Sequence, residues 1–232
     1  DGYGWDSEII DKDDSGIMGP SISIDSIDKT HISYRVWHLT TDGKKILKYG
    51  SKDESGWHLE SIDNASDVSD KYTKIVLDST DMPHITYIDG SKNSLKYYYK
   101  NSTGWSLENE FVNSLDGSIK LDSEDKPHII YIDSNEKEGK YAYKDSYGWH
   151  MESITGARFP VRIQIDSYNR PHIIAYNNNN EIEYGYRNVS EWTMEKITFD
   201  IWAADFALGA NNIPHISCLA GENHIYKYAY RE

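Results

Sequence analysis

The chain has one cysteine, Cys218, in 232 residues, so no intramolecular disulfide framework is available to it. It has no apolar run of the roughly eighteen residues that a bilayer-spanning helix needs, and no basic-then-apolar leader pattern. Basic residues are in deficit: 24 Lys and Arg against 38 Asp and Glu give a formal net charge of -14. That balance argues against a nucleic-acid partner, whose phosphates are met by clustered Lys and Arg, and against an anionic membrane surface. Helical periodicity is also missing. Metal-binding spacing is absent too, since no loop carries the regular oxygen pattern of a calcium site, and neither a metal nor a cofactor is expected.

What is abundant is aromatic residues, with 19 Tyr and 7 Trp. These rings suit half-buried strands that keep a polar tip near water. They fall in a repeat. Leu77-Asp78-Ser79 leads through Pro83-His84-Ile85 to Tyr87, and Leu121-Asp122-Ser123 through Pro127-His128-Ile129 to Tyr131. Ile165-Asp166-Ser167 leads in the same way to Pro171-His172-Ile173. Weaker copies run from Ile24-Asp25-Ser26 to His31, and from Leu208-Gly209-Ala210 to Pro214-His215. The histidines recur at 31, 84, 128, 172 and 215, a period of about 40 to 50 residues. With four short strands per unit, that period is the signature of a β-propeller.

Within a unit, a short Ile-x-Leu-Asp strand precedes a turn and Pro-His opens the second strand. Alternating tyrosines mark the third, and Gly-Trp opens the fourth, at Trp57, Trp105 and Trp149. The opening residues, Gly4-Trp5 through Glu8, repeat that fourth strand, while the C-terminal Ile225 to Arg231 reads as a third strand with no fourth behind it. The sequence therefore predicts one domain over residues 1–232, a closed five-bladed all-β propeller with four antiparallel strands per blade. The blades are expected at about 21–63, 74–112, 118–155 and 161–198, with 205–232 completed by an N-terminal strand from residues 1–10.

The Asp-Ser-x-x-x-Pro-His-Ile-x-Tyr unit, with Leu-Lys-Tyr-x-Tyr and Gly-Trp-x-x-Glu, resembles a propeller repeat of secreted bacterial and archaeal proteins in the company of sialidase-like and lectin-like propellers. The resemblance covers essentially the whole chain and implies a secreted or cell-surface protein. The sialidase Asp-box order Ser-x-Asp-x-Gly-x-x-Trp is absent, so that chemistry does not carry over.

The repeated residues read as scaffold. His31, His84, His128, His172 and His215 each tie a turn to a neighbouring strand, and Asp25, Asp78, Asp122 and Asp166 cap the turns. Cys218 falls where other copies place Tyr87 or Tyr131, and is expected as a buried free thiol. A site is expected where the copies differ, on the loops from each fourth strand to the next first strand. Trp202, Arg158, Phe159, Tyr72 and Asp116 are the candidate ligand-binding residues there. No catalytic constellation stands out. The expected function is a monomeric, non-enzymatic module that binds a glycan or other surface ligand at the channel mouth. Two alternatives remain, a glycoside hydrolase or lyase using loop carboxylates and a protein-interaction scaffold.

Overall fold

The computed structural model describes residues 4–12, 16–37, 45–63, 73–197, 201–220 and 225–231. They form an all-β protein of five antiparallel sheets, the blades of a propeller-type fold. Blade 1 holds β1 (Ile17–Ile24), β2 (Thr30–Trp37), β3 (Lys45–Asp53) and β4 (Gly56–Asp63). Blade 2 holds β5 (Lys74–Leu77), β6 (Pro83–Asp89), β7 (Ser94–Asn101) and β8 (Gly104–Val112). Blade 3 holds β9 (Ser114–Leu121), β10 (Pro127–Asp133), β11 (Glu138–Asp145) and β12 (Gly148–Ser153). Blade 4 holds β13 (Phe159–Ile165), β14 (Pro171–Tyr176), β15 (Ile182–Asn188) and β16 (Glu191–Lys196). Blade 5 has three paired strands, β17 (Ile201–Leu208), β18 (Pro214–Ala220) and β19 (Ile225–Tyr230). The first strands touch in succession, β1 on β5, β5 on β9, β9 on β13 and β13 on β17, and so form the inner wall.

The turn between the first two strands explains most of the repeat. Asp78 Oδ1 accepts the backbone N–H groups of Thr80 and Met82 at 2.8 and 2.9 Å. The residue that reverses the chain is left-handed: Asp28, Asp81, Asp125, Asn169 and Asn212 have φ between 61 and 64°. Asp and Asn tolerate that conformation better than other side chains that carry a Cβ. The side chains of Asp81, Asp125, Asn169 and Asn212 then reach the preceding blade. Asp81 accepts Ser26 N–H at 2.9 Å, Asp125 accepts Ser79 N–H at 2.8 Å and Asn169 accepts Ser123 N–H at 3.0 Å. The serine of each Asp-Ser pair is thus a receptor for the next blade. At Gly56, Gly104 and Gly148, which precede the tryptophans, φ is 116, 118 and 121°, a region that suits only glycine.

The core lies between blades. One cluster joins Leu47 and Tyr49 to Ile85 and Tyr87, and the next joins Tyr97 and Phe111 to Ile129 and Ala142. Two more straddle the following junctions. Trp105, Trp149 and Trp192 stand edge-on to Tyr49, Tyr97 and Tyr141 of the preceding blade, at 5.2, 5.8 and 5.3 Å between centroids. Cys218 is buried in the cluster between blades 4 and 5.

The two ends of the chain differ from the expected clasp. Residues 4–12 are not hydrogen-bonded to β19, and Trp5 is fully exposed. They nonetheless sit on blade 1 as a fourth strand sits on the blade after it. Asp11 accepts Tyr34 Oη at 2.8 Å and Lys48 Nζ at 2.7 Å, as Asp63 accepts Lys96 Nζ and Tyr98 Oη at 2.9 Å. Glu8 takes Lys52 as Glu60 takes Lys100, and Ile10 packs on Ile32, Tyr34 and Val36. Among the described residues the packing half of the clasp is present and the pairing half is not. Tyr228 on β19 is consequently 62% exposed, whereas its counterparts Tyr97 and Tyr141 are 2% and 1% exposed.

Candidate functional site

Blades 2, 3 and 4 each carry the same small set of polar groups. His84 lies between Asp78 and Tyr97, His128 between Asp122 and Tyr141, and His172 between Asp166 and Tyr184. The Nε2-to-carboxylate distances are 3.4, 3.3 and 3.1 Å, and each Nδ1 meets a tyrosine hydroxyl. The partners assign the tautomer: Nε2–H donates to the carboxylate and Nδ1 accepts the phenol O–H. Burial, only partly offset by the aspartates, holds all three imidazoles below their ordinary value of 6.5. They are neutral at pH 7. His31 repeats the arrangement with Tyr49 Oη at 2.6 Å and Asp25 at 3.4 Å. In the fifth copy Gly209 replaces the aspartate, and His215 keeps its bond to Tyr228 at 2.6 Å.

The outer part of the junction is a glutamate shared by a cation and a tryptophan of the next blade. Glu152 grips Arg187 through Nε at 2.7 Å and Nη2 at 3.0 Å, and accepts Trp192 Nε1–H at 2.9 Å. Glu60 does the same for Lys100 and Trp105, and Glu108 pairs with Lys144. Arg187 also lies over Tyr141 and Tyr143, at 5.8 and 5.4 Å from the ring centroids.

Two open cavities occupy equivalent places in this scheme. One, of about 470 Å³ between blades 4 and 5, is floored by His172, Tyr184 and Tyr186 and rimmed by Arg170, Asn212 and Arg231. The other, of about 410 Å³ between blades 2 and 3, is floored by His84, Tyr97 and Tyr99 and rimmed by Glu108, Asp125 and Lys144. Paired tyrosines beside planar donors and acceptors give a surface on which a polyol ring can stack and hydrogen-bond.

The residues singled out on the inter-blade loops are distributed differently. Arg158 stacks on Phe159, 4.7 Å from the ring centroid, and its N–H donates to Tyr176 O at 2.7 Å. Asp116 accepts Gly117 N–H at 2.8 Å and belongs to an axial charged group with Lys74, Arg162 and Asp205. Arg162 Nε lies 3.4 Å from Asp205, and burial together with Arg162 lowers the pKa of Lys74. Tyr72 lies outside the described residues; Trp202 lies on β17, with its side chain outside them. Among the described residues no group of three or more His, Cys, Asp or Glu side chains is placed to hold a metal ion. Sequence reading passed over the junction residues Tyr99, Lys144, Arg170, Tyr186 and Arg231. For all but Arg170, the signal was present in the alternation of two tyrosines followed by a cation at the end of the third strand in blades 2 to 5.

No family model matches the chain, and no curated protein matches it. Solved structures do. The fold is similar to a mutant of AofleA from Arthrobotrys oligospora, with TM-score 0.62 and 9% identity over 92% of this chain and 68% of that one. It is similar to the polysaccharide lyase Uly1, with TM-score 0.57 and 8% identity over 91% of this chain and 57% of that one. An exo-beta-1,3-galactanase from Phanerochaete chrysosporium, solved with beta-1,3-galactotriose, gives TM-score 0.50 and 13% identity over 92% and 59%. The chain spans little more than half the length of the lyase and the galactanase. At these identities the likeness defines the class, a propeller-type β protein.

Proposed function

We propose that this protein is a secreted or surface-borne, monomeric carbohydrate-binding propeller without catalysis of its own, holding sugar rings in the cavities between blades. The observation that carries the reading is the repetition of one cavity type at two junctions, each with a pair of tyrosines and a cation on its wall. Two of the similar structures, the lyase and the galactanase, act on polysaccharides by name, which supports the carbohydrate class. Aromatic faces supply stacking area at low entropic cost, and the junction side chains are held by their neighbours before a ligand arrives. The loop residues Arg158, Phe159, Trp202, Tyr72 and Asp116 stand as a further contact area for a longer glycan that extends towards the channel mouth.

A glycan array probed with the full chain, with and without Ca²⁺, tests this. Selective capture is expected, unchanged by Ca²⁺ and weakened at least about tenfold by Tyr186→Ala or Tyr99→Ala, the order of one lost stacking contact. Capture of no glycan, or capture indifferent to both substitutions, refutes the seat.

One observation favours a second reading, an axial hydrolase or lyase. Lys74, Asp116, Arg162 and Asp205 come from four different inner strands, and both carboxylates act on Lys74. Turnover of a polysaccharide that Asp205→Asn abolishes would establish it and displace the binding-only reading.

A further inference from the structure

The two junction cavities share a floor but differ in the charge of the rim, and the difference is chemical. Glu108, Asp125 and Asp145 line the cavity between blades 2 and 3, with Lys126 and Lys144. Among the described residues no carboxylate lines the larger cavity between blades 4 and 5, of about 470 Å³, whose charged lining groups are Arg170 and Arg231; Glu195 lines the smaller cavity that shares Tyr184 and Arg231 with it. His172 is neutral there for the reasons given above.

Both arginines are fixed in place. Arg170 lies over Tyr168 at 5.1 Å from the ring centroid and is tethered through Nε and Nη2 to Asp166, each at 2.7 Å. Arg231 lies over Tyr186 at 5.3 Å and meets Glu195 through Nη2 at 2.9 Å. Neither Asp166 nor Glu195 lines this cavity. A guanidinium has five N–H donors, so these tethers leave donors directed elsewhere, and planar guanidinium groups match the two oxygens of a carboxylate. Ser167, Asn211 and Asn212 add hydrogen-bonding groups to the same wall.

Resting on the carbohydrate reading above, we propose that the cavity between blades 4 and 5 is a subsite for a carboxylate-bearing sugar, a uronic acid residue. Its ring packs on Tyr186 and its carboxylate is held by Arg231 and Arg170. The cavity between blades 2 and 3, with three carboxylates on its rim, repels such a sugar and takes a neutral one. The molecule then reads two kinds of residue in an acidic polysaccharide from a single repeat.

Calorimetric titration of the full chain with methyl β-D-glucuronide and with its methyl ester tests the proposal, because the two probes differ in the charge at one position. The free acid is expected to bind about tenfold more tightly, the effect of one charge-assisted pair. Arg231→Gln is expected to remove that preference while leaving the melting temperature close to the parent value, since the side chain is half exposed. Arg170→Gln is the second variant. Equal binding of acid and ester, or a preference that survives both substitutions, overturns this proposal and leaves the carbohydrate reading intact. Failure of the acid, the ester and every array glycan to bind overturns both.

Discussion

The junction between blades 3 and 4 and the junction between blades 4 and 5 are built from one repeat and have diverged. In the first, Glu152 holds Arg187 by two nitrogens with Trp192 closing over Tyr141, and the cation is used up in packing. In the second, Glu195 holds Arg231 by one nitrogen, and no tryptophan stands over Tyr184 among the described residues. A cavity of about 270 Å³ lined by Tyr184, Glu195 and Arg231 occupies that place. Arg187, gripped by two nitrogens beneath Trp192, is 16% exposed and closes its junction, whereas Arg231, with one contact to Glu195, is half exposed. The same chemistry gives a structural joint or a binding wall according to how many of its donors are satisfied.

The largest expected effect concerns the ends. Removing the first twelve residues strips Asp11 from the nearly buried Tyr34 and from Lys48, and uncovers the packing of Ile32 and Val36. A loss of about 3 kcal/mol or more is expected, with association through the exposed edge of β19; a thermal melt and light scattering measure both. An unchanged melting temperature and a monomeric product would show that the contacts of Glu8 and Asp11 contribute nothing.

Glu152→Ala breaks the sealed junction. It leaves Arg187 and the Trp192 N–H without their acceptor, at a cost of about 2 to 3 kcal/mol after allowance for partial exposure. Glu195→Ala, at the looser junction, is expected to cost under about 1 kcal/mol. Equal losses in urea titrations would erase the contrast between the two junctions.

His128→Ala tests the inner part of the same interfaces. It takes the imidazole from Asp122 Oδ2 and from the Tyr141 hydroxyl, and about 1 to 3 kcal/mol is expected without loss of glycan capture. His215→Ala, where no aspartate stands at Gly209 and Tyr228 is exposed, should cost less.

The pH dependence follows from the same triads. His84, His128 and His172 are held below 6.5 in the folded protein, so below that pH the unfolded chain takes up protons that the folded one refuses. Stability is therefore full above about pH 7 and falls as pH drops below the unfolded value of 6.5. Asp78 and Asp166 are buried enough to be raised, but backbone, hydroxyl, arginine and histidine donors outweigh that and hold them below 3.8, which adds a second loss beneath that pH. Melting temperatures from pH 8 to 3 display the two steps. A curve flat down to pH 5 would contradict the neutral, buried assignment of the imidazoles. The smallest effect expected is from Asn212→Gly, which keeps the left-handed turn and removes two solvent-exposed turn-to-turn bonds, at under about 1 kcal/mol.

The blades were legible because their signals are local. Asp-Ser before Pro-His marks a turn whatever surrounds it, and alternating tyrosines mark a strand with one face on a neighbour. The site was less legible for a related reason. Its residues are the repeated ones, Tyr99 and Tyr186, which look like scaffold in a one-dimensional reading because their equivalent Tyr143 lies in a junction that Glu152, Arg187 and Trp192 close. The variable loops drew attention to Arg158 and Phe159, which the structure shows stacked on each other.

By itself, the sequence determined the all-β repeat, the order of the strands and the kinship of residues 4–11 with a fourth strand, because period and turn chemistry are properties of the chain. Only the tertiary structure decided which junctions are sealed and which are open. That outcome depends on how many donors a glutamate from one blade finds on the next, and such pairings across 35 to 45 residues of chain exist only once neighbouring blades pack.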